Sequence, residues 1–174
     1  TNTKLSKIRE TFVAPNASDC GLAVGMLLME SMPYKPADIT YKGLPVIDKY
    51  NLSRILEENT YHEKYSVNKM VELIKDGKII GVVRGGSEHG PRALGNRSIL
   101  CDPTIPDMKN ILNAKVKNRE YYRPFAPVVR LEDVNKYFEW DKECRYMSYC
   151  PTVRDEYVDK IPSVVHVDKT ARVQ

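Results

Sequence analysis

A short apolar run, Ile79-Ile80-Gly81-Val82-Val83, gives way almost at once to Gly85-Gly86-Ser87-Glu88-His89-Gly90-Pro91-Arg92-Ala93-Leu94-Gly95-Asn96-Arg97-Ser98. No regular helix survives that density of glycine together with a proline, so the two segments read as a buried strand feeding a turn. Turns of this kind are where α/β sheets take ligands, because glycine lets the backbone approach closely and leaves free N–H groups pointing outward. Arg92 and Arg97 add planar forks suited to phosphate or carboxylate. One arginine alone is as readily explained by an ion pair with Glu88 or Asp102, whereas two in one turn point to an anion site. The pattern is neither a Walker loop nor a dinucleotide fingerprint.

Charge supports the same place. The net charge is only +4 over 174 residues. Yet residues 84–130 carry nine Lys or Arg against four Asp or Glu, or +5, while the remainder has 18 against 19, or −1. Several of these cations lie among Gly and Pro, where a chain bends around something, and a small anion is the natural candidate. Hydrophobic residues at 42% and charged residues at 29% are an ordinary globular mix. No apolar run approaches the roughly 20 residues of a membrane span, so a soluble chain with no membrane partner is expected. Cys20, Cys101, Cys144 and Cys150 are too scattered for a zinc site and read as reduced structural thiols, which favours the cytoplasm. The start at Thr1, with neither methionine nor an apolar leader, leads us to expect that the natural beginning lies upstream.

Along the chain, residues 16–31 read as a buried helix capped by Asn16 or Ser18, with Leu22, Val24, Met26, Leu27 and Leu28 nearly continuous. Residues 33–61, with three prolines and little periodicity, read as a linker holding one short strand around 45–47. Ser66 caps a helix bearing Val67, Met70, Val71, Leu73 and Ile74, and Gly77 closes it. Pro106 begins another helix with Met108, Ile111, Leu112 and Val116 inward; 125–129 is the next strand, 131–140 is helical, and 146–153 and 163–173 are extended. The fold class is therefore α/β or α+β, with a sheet at the centre.

A second cationic cluster runs Lys115-Val116-Lys117-Asn118-Arg119-Glu120-Tyr121-Tyr122-Arg123-Pro124-Phe125-Ala126-Pro127. Lys117 and Arg119 fall at a helix end, where cations also cap carbonyls. Arg123 precedes a proline, which forces extended backbone, and leads into an apolar strand, so it is expected to project at a sheet edge. Tyr121 and Tyr122 suggest base stacking, although tyrosines of this kind more often serve interfaces or cores. His62, His89 and His166 form no ligand spacing; His89 reads as a solvated turn residue more readily than a catalytic one.

Taken together, Gly90 through Ser98, residues 115–127 and Thr170-Ala171-Arg172-Val173-Gln174 resemble the C-terminal domain of the O-carbamoyltransferases of nodulation-factor and antibiotic biosynthesis, most closely over 79–127. That domain is similar in fold to the YrdC-like enzymes of tRNA threonylcarbamoylation, whose Lys-x-Arg signature matches Lys117 and Arg119. The resemblance implies a YrdC-like twisted mixed sheet flanked by helices at 61–174, incomplete at its C-terminus. A linker at 33–60 and, at 1–32, the tail of an actin-like (ASKHA) ATPase domain would precede it. It also implies a reaction in which carbamoyl phosphate and ATP, with Mg2+, yield carbamoyl adenylate and pyrophosphate, the carbamoyl group then passing to the hydroxyl of a small-molecule acceptor. By residue matching, Arg92, Lys117, Arg123 and Arg172 would hold carbamoyl phosphate and the nucleotide phosphates and converge on one anion site, with Asn96, Arg97, Ser98 and Arg119 as further binding residues. Asp19 resembles an acidic residue of the actin-like domain that helps bind iron, Fe2+ in the complete protein; taken without the resemblance, it is a first-turn acid stabilising its own helix. The family completes its nucleotide site with a strand beyond Gln174, so weak nucleotide binding and no turnover are expected from this chain alone.

Three rivals stand beside this reading. A nucleic-acid-binding module would need cations along an exposed stripe rather than in turns. A threonylcarbamoyl-adenylate synthase would use threonine and bicarbonate in place of carbamoyl phosphate, and a non-catalytic remnant would only bind a partner chain. A homo-oligomer stays open.

Overall fold

The computed structural model describes residues 2–31, 39–59 and 61–174. Its elements in chain order are α1 (Asn2–Ser6), α2 (Asp19–Ser31), α3 (Lys49–Glu58), α4 (Val67–Lys75), β1 (Ile80–Val83), β2 (Arg97–Leu100), α5 (Met108–Ile111), α6 (Val134–Tyr137) and α7 (Asp155–Val158), joined by short 3-10 turns and one π-helical turn, Leu112–Val116. This is a mixed α/β chain, as expected. It divides into two compact units, one made of Asn16–Cys101 and the other of Thr1–Pro15 with Asp102–Gln174.

In the first unit, local chemistry sets the element ends. Ser66 Oγ accepts the Lys69 N–H at 3.4 Å and starts α4. Gly77, at φ +75°, ends it, and Lys78 N–H reaches back to Leu73 O at 2.9 Å. Only a residue that tolerates positive φ turns the chain this sharply from helix into β1. β1 then pairs antiparallel with β2, Ile80 opposite Leu100 and Val83 opposite Arg97. Among the described residues these two strands are the whole sheet, a smaller one than the twisted sheet expected, and β1 is half-buried rather than buried.

Other expectations are corrected here. Within residues 33–60, read as a linker with little periodicity, a helix forms, α3, because the Asp48 carboxylate accepts the N–H groups of Tyr50 and Asn51. The strand expected around 45–47 is a single bridge from Pro45 to Gly86; Pro33 lies outside the described residues. The helix expected at 16–31 forms as α2, but none of its residues is buried, and Leu22, Met26, Leu27 and Met29 face solvent among the described residues. Its sequence is apolar all round, a pattern that gives a helix without saying what covers it.

The second unit holds the core: Val134, Phe138, Trp140, Cys144, Val153, Ala171 and Val173 pack together, edged by Tyr137, Tyr149 and Tyr157. Antiparallel bridges Phe138 to Val153, Tyr149 to Val173 and Thr152 to Thr170 bring the late extended segments across it. α1 is pinned to the same unit, with Thr3 Oγ1 accepting the Cys150 N–H at 2.8 Å. Residues 125–129, expected as the next strand, form no strand. Pro127 removes a ladder donor, and Gln174 pairs there, donating to Pro127 O and accepting from Val129 N–H, both at 3.0 Å. Met108 and Leu112 point inward as expected, whereas Val116 is 44% exposed because the π turn rotates the register past it. The expected helix at 131–140 shortens to a 3-10 turn and α6, since Phe138 leaves helical geometry to bridge Val153. Cys20, Cys144 and Cys150 are free thiols; burial, above all, pushes the Cys144 thiol up to about 11. Among the described residues no helix is long and apolar enough to cross a membrane.

Phe138 is 1% exposed and Leu27 is 69% exposed. Phe138→Ala should therefore cost about 3–5 kcal/mol in urea denaturation of this chain, and Leu27→Ala within about 0.5 kcal/mol. Equal effects would contradict this placement of the core.

Candidate functional site: two cation-bearing loops on buried polar hubs

The loop between β1 and β2 is organised by Glu88, whose side chain is 0% exposed. Its Oε1 accepts the backbone N–H groups of Leu94 at 2.8 Å, Asn96 at 2.7 Å and Arg97 at 3.3 Å. Its Oε2 accepts Arg97 Nε at 2.7 Å, and Arg97 Nη2 returns to Glu88 O at 3.1 Å. Burial by itself would push the Glu88 carboxyl up, but the Arg97 guanidinium and the three backbone donors outweigh it and hold the group below the usual carboxylate range.

This hub sorts the predicted residues of the loop. Arg97 is spent on Glu88, as the ion-pair explanation foresaw. Asn96 Nδ2 donates to Gly86 O at 2.8 Å, and Ser98 Oγ accepts the Gly95 N–H at 3.0 Å, so both brace the loop from within. Arg92 is exposed and has no hydrogen bond or ion pair among the described residues. Before it, Gly90 has φ +113°, and a Cβ there would lie 2.7 Å from Oδ1 of the buried Asn16. That close approach requires glycine, and Asn16 was visible in the sequence only as a helix cap. His89, set aside as solvated, instead has its Nε2 buried and unpartnered among the described residues.

The second loop has its own hub, Asn113, 1% exposed. Asn113 Nδ2 donates to Tyr121 O at 3.2 Å and to Arg123 O at 3.0 Å, while Oδ1 accepts Arg119 Nε at 2.7 Å. Arg119 also stacks 4.6 Å over the Phe125 ring. Burial, with the nearby Arg123 charge, lowers the Arg119 pKa against the opposing pull of Glu120. Arg119 is thus a brace, like Arg97. Lys117 is exposed, with no ion pair among the described residues, and Arg123 is half-exposed with Nη1 3.5 Å from Glu120 Oε2, a weak surface pairing. Arg172 sits half-buried between the buried Ala171 and Val173, and its charge is felt by Cys150 and His166. Asn113 was missed in the sequence; an amide inside the Met108, Ile111, Leu112 stripe was the available signal.

Arg92 belongs to one unit, and Lys117, Arg123 and Arg172 to the other. Chemically, the loops offer exposed guanidinium and ammonium groups on braced backbone, an arrangement that holds anions without reorganising. Asp19 is exposed in the first turn of α2, and no group of three or more His, Cys, Asp or Glu able to hold a metal occurs among the described residues. One carboxylate is a single donor and does not make an iron site.

Glu88 yields a pH prediction. Its folded pKa lies below the unfolded value of about 4.3, so it adds stability above that value and loses it as pH falls through the folded one. Glu88→Gln should lower stability at pH 7 by at least about 2 kcal/mol and flatten the fall in stability between about pH 5 and pH 3, read by denaturant titration. An unchanged acid limb would remove Glu88 from its organising role.

Comparison with known proteins identifies the family of the chain. Residues 71–174 match the family model described as the carbamoyltransferase C-terminus. The chain is 39% identical to nodulation protein NolNO of Sinorhizobium fredii over 95% of its own length and 26% of that protein. It is 36% identical to nodulation protein NolO of Bradyrhizobium diazoefficiens over 95% of its length and 33% of that protein. It is likewise 36% identical to the 3'-hydroxymethylcephem-O-carbamoyltransferase of Streptomyces clavuligerus, over 98% of its length and 32% of that protein. The chain thus spans about a quarter to a third of these relatives. It belongs to the carbamoyltransferase family, within the part that forms the family's C-terminus.

Proposed function

We propose that this chain is the carbamoyl-activating part of an ATP-dependent O-carbamoyltransferase. The observation that carries the reading is the sorting of cations: Arg97 and Arg119 are consumed by Glu88 and Asn113, while Arg92 and Lys117 stay exposed with no ion pair among the described residues. Two phosphate-bearing substrates bring several negative charges together, and cations not committed to the protein can neutralise them as charge develops on the phosphate oxygens. In balanced form, carbamoyl phosphate, water and ATP give carbamoyl adenylate, phosphate and pyrophosphate. The carbamate oxygen attacks the α-phosphorus and pyrophosphate leaves.

Arg92, Lys117, Arg123 and Arg172 are assigned to these anions; Asn96, Arg97, Ser98 and Arg119 act by holding the loops that carry them. Mg2+ would travel with the nucleotide phosphates. The proposed architecture remains a YrdC-like domain at 61–174, a linker at 33–60 and an actin-like tail at 1–32, in a cytoplasmic enzyme. The name of the Streptomyces relative, a hydroxymethylcephem carbamoyltransferase, supports a small-molecule hydroxyl as acceptor.

The test is carbamoyl-phosphate-dependent exchange of pyrophosphate into ATP by the full-length protein. Lys117→Ala or Arg92→Ala should slow it at least about tenfold at unchanged stability, since a charge-assisted contact contributes about 1.5–3 kcal/mol. Exchange that requires threonine and bicarbonate instead would replace this reading with the threonylcarbamoyl one. Asp19 is proposed as one iron ligand of the full-length protein. Asp19→Ala should lose iron, measured by elemental analysis, while exchange persists; an unchanged iron content would leave Asp19 a helix-stabilising acid.

A further inference from the structure

Arg92 lies in the middle of the span from Gly90 to Leu94, and the Glu88 carboxylate binds backbone only on its far side, at Leu94, Asn96 and Arg97. Two further residues hold the span, and both lie outside residues 71–174, the part that matches the family. The first is Asn16, which is 8% exposed. Its Oδ1 occupies the space that a side chain on Gly90 would need, and a Cβ on Gly21 in α2 would lie 2.1 Å from its carbonyl oxygen. Ser18 secures it, donating its N–H to Asn16 O at 2.8 Å and its hydroxyl to Asn16 Oδ1 at 3.3 Å. The second is Tyr41, whose hydroxyl donates to Leu94 O at 3.0 Å. The buried Leu94 is thus held by its N–H through Glu88 and by its carbonyl through Tyr41.

Tyr41 is itself placed by a ribbon. His89 N–H donates to Thr40 O at 2.8 Å, Gly43 N–H to Ser87 O at 3.1 Å, Ser87 N–H to Leu44 O at 2.8 Å and Val46 N–H to Gly85 O at 3.0 Å. Residues 40–46 therefore run antiparallel along residues 85–89, so closely that a Cβ on Gly86 would lie 2.5 Å from Tyr41 O. A passive connector has no need of such lacing. Arg92 has no hydrogen bond or ion pair of its own among the described residues, so the backbone beneath it must direct its long side chain. A guanidinium fork binds a phosphate well only from the correct direction, which makes that backbone part of the chemistry.

We propose that Asn16 and Tyr41 are positioning residues for carbamoyl activation, clamping the Gly90 to Leu94 span at its two ends and so setting where the Arg92 guanidinium reaches. The assignment rests on the reading that Arg92 serves the phosphate-bearing substrates.

Amide hydrogen exchange in this chain reads the clamp itself. Tyr41→Phe removes only the hydroxyl and should speed exchange of the Leu94 and Asn96 N–H groups about fivefold, leaving α4 unchanged. No change at Leu94, or equal acceleration throughout α4, would overturn the clamp. The aim of Arg92 is read in the full-length protein by carbamoyl-phosphate-dependent exchange of pyrophosphate into ATP. Tyr41→Phe should slow it about fivefold, yet cause no further loss in a protein already carrying Arg92→Ala. Asn16→Ala should follow the same pattern, and Tyr50→Phe, on the exposed ring of α3, should match wild type. The same loss from Tyr41→Phe with and without Arg92 would overturn the positioning role. If Arg92→Ala alone leaves the reaction at the wild-type rate, the proposed function fails at that residue, and faster amide exchange at Leu94 would still uphold the clamp.

Discussion

The buried carboxylate of Glu88 is the constraint on which the β1–β2 loop depends. Removing a carboxylate from water is expensive, and only full pairing makes it tolerable. Here three backbone N–H groups and one guanidinium supply that pairing, all from residues 94–97. The loop has no freedom to move without stripping donors from a buried charge, so its shape is fixed by electrostatics rather than by apolar packing. Gly90 and Asn16 follow from this, since the chain entering the loop must pass close against a neighbour with no room for a side chain. Asn113 performs the same service for the second loop with a neutral amide, which costs less to bury and uses both its donor and its acceptor.

Each hub consumes one arginine and thereby leaves others displayed. Like charges on a loop repel and would splay flexible backbone, but a braced loop stores that repulsion until an anion relieves it. The chain's concentration of Lys and Arg over residues 84–130 is then two populations. Arg97 and Arg119 define conformation; Arg92, Lys117 and Arg123 face water. Arg172, flanked by core residues, is positioned by the packing of the second unit itself.

What was legible in the sequence was short in range. Ser66 and Gly77 bracket α4, and the apolar run before the glycines is β1, because caps, glycine and strand pattern act within a few residues. α3 was missed although Asp48 caps it, since its mixed tyrosine and leucine pattern lies beside prolines that suggested a linker. Arg92 and Arg97 share one turn and one chemistry, so nothing local separates the exposed arginine from the brace. The roles of Glu88 and Asn113 emerge only when hydrogen-bond partners up to ten residues away fold back onto them. α2 shows the opposite limit: a strongly apolar helix was recognised, but its neighbours are a tertiary matter.

The sorting of arginines is open to direct measurement through their side-chain Nε–H signals in NMR. With carbamoyl phosphate added, Arg92 and Arg123 should shift saturably, while Arg97 and Arg119, already engaged with Glu88 and Asn113, should keep their positions and slow solvent exchange. A saturable response led by Arg97 or Arg119, with Arg92 and Arg123 silent, would contradict the account.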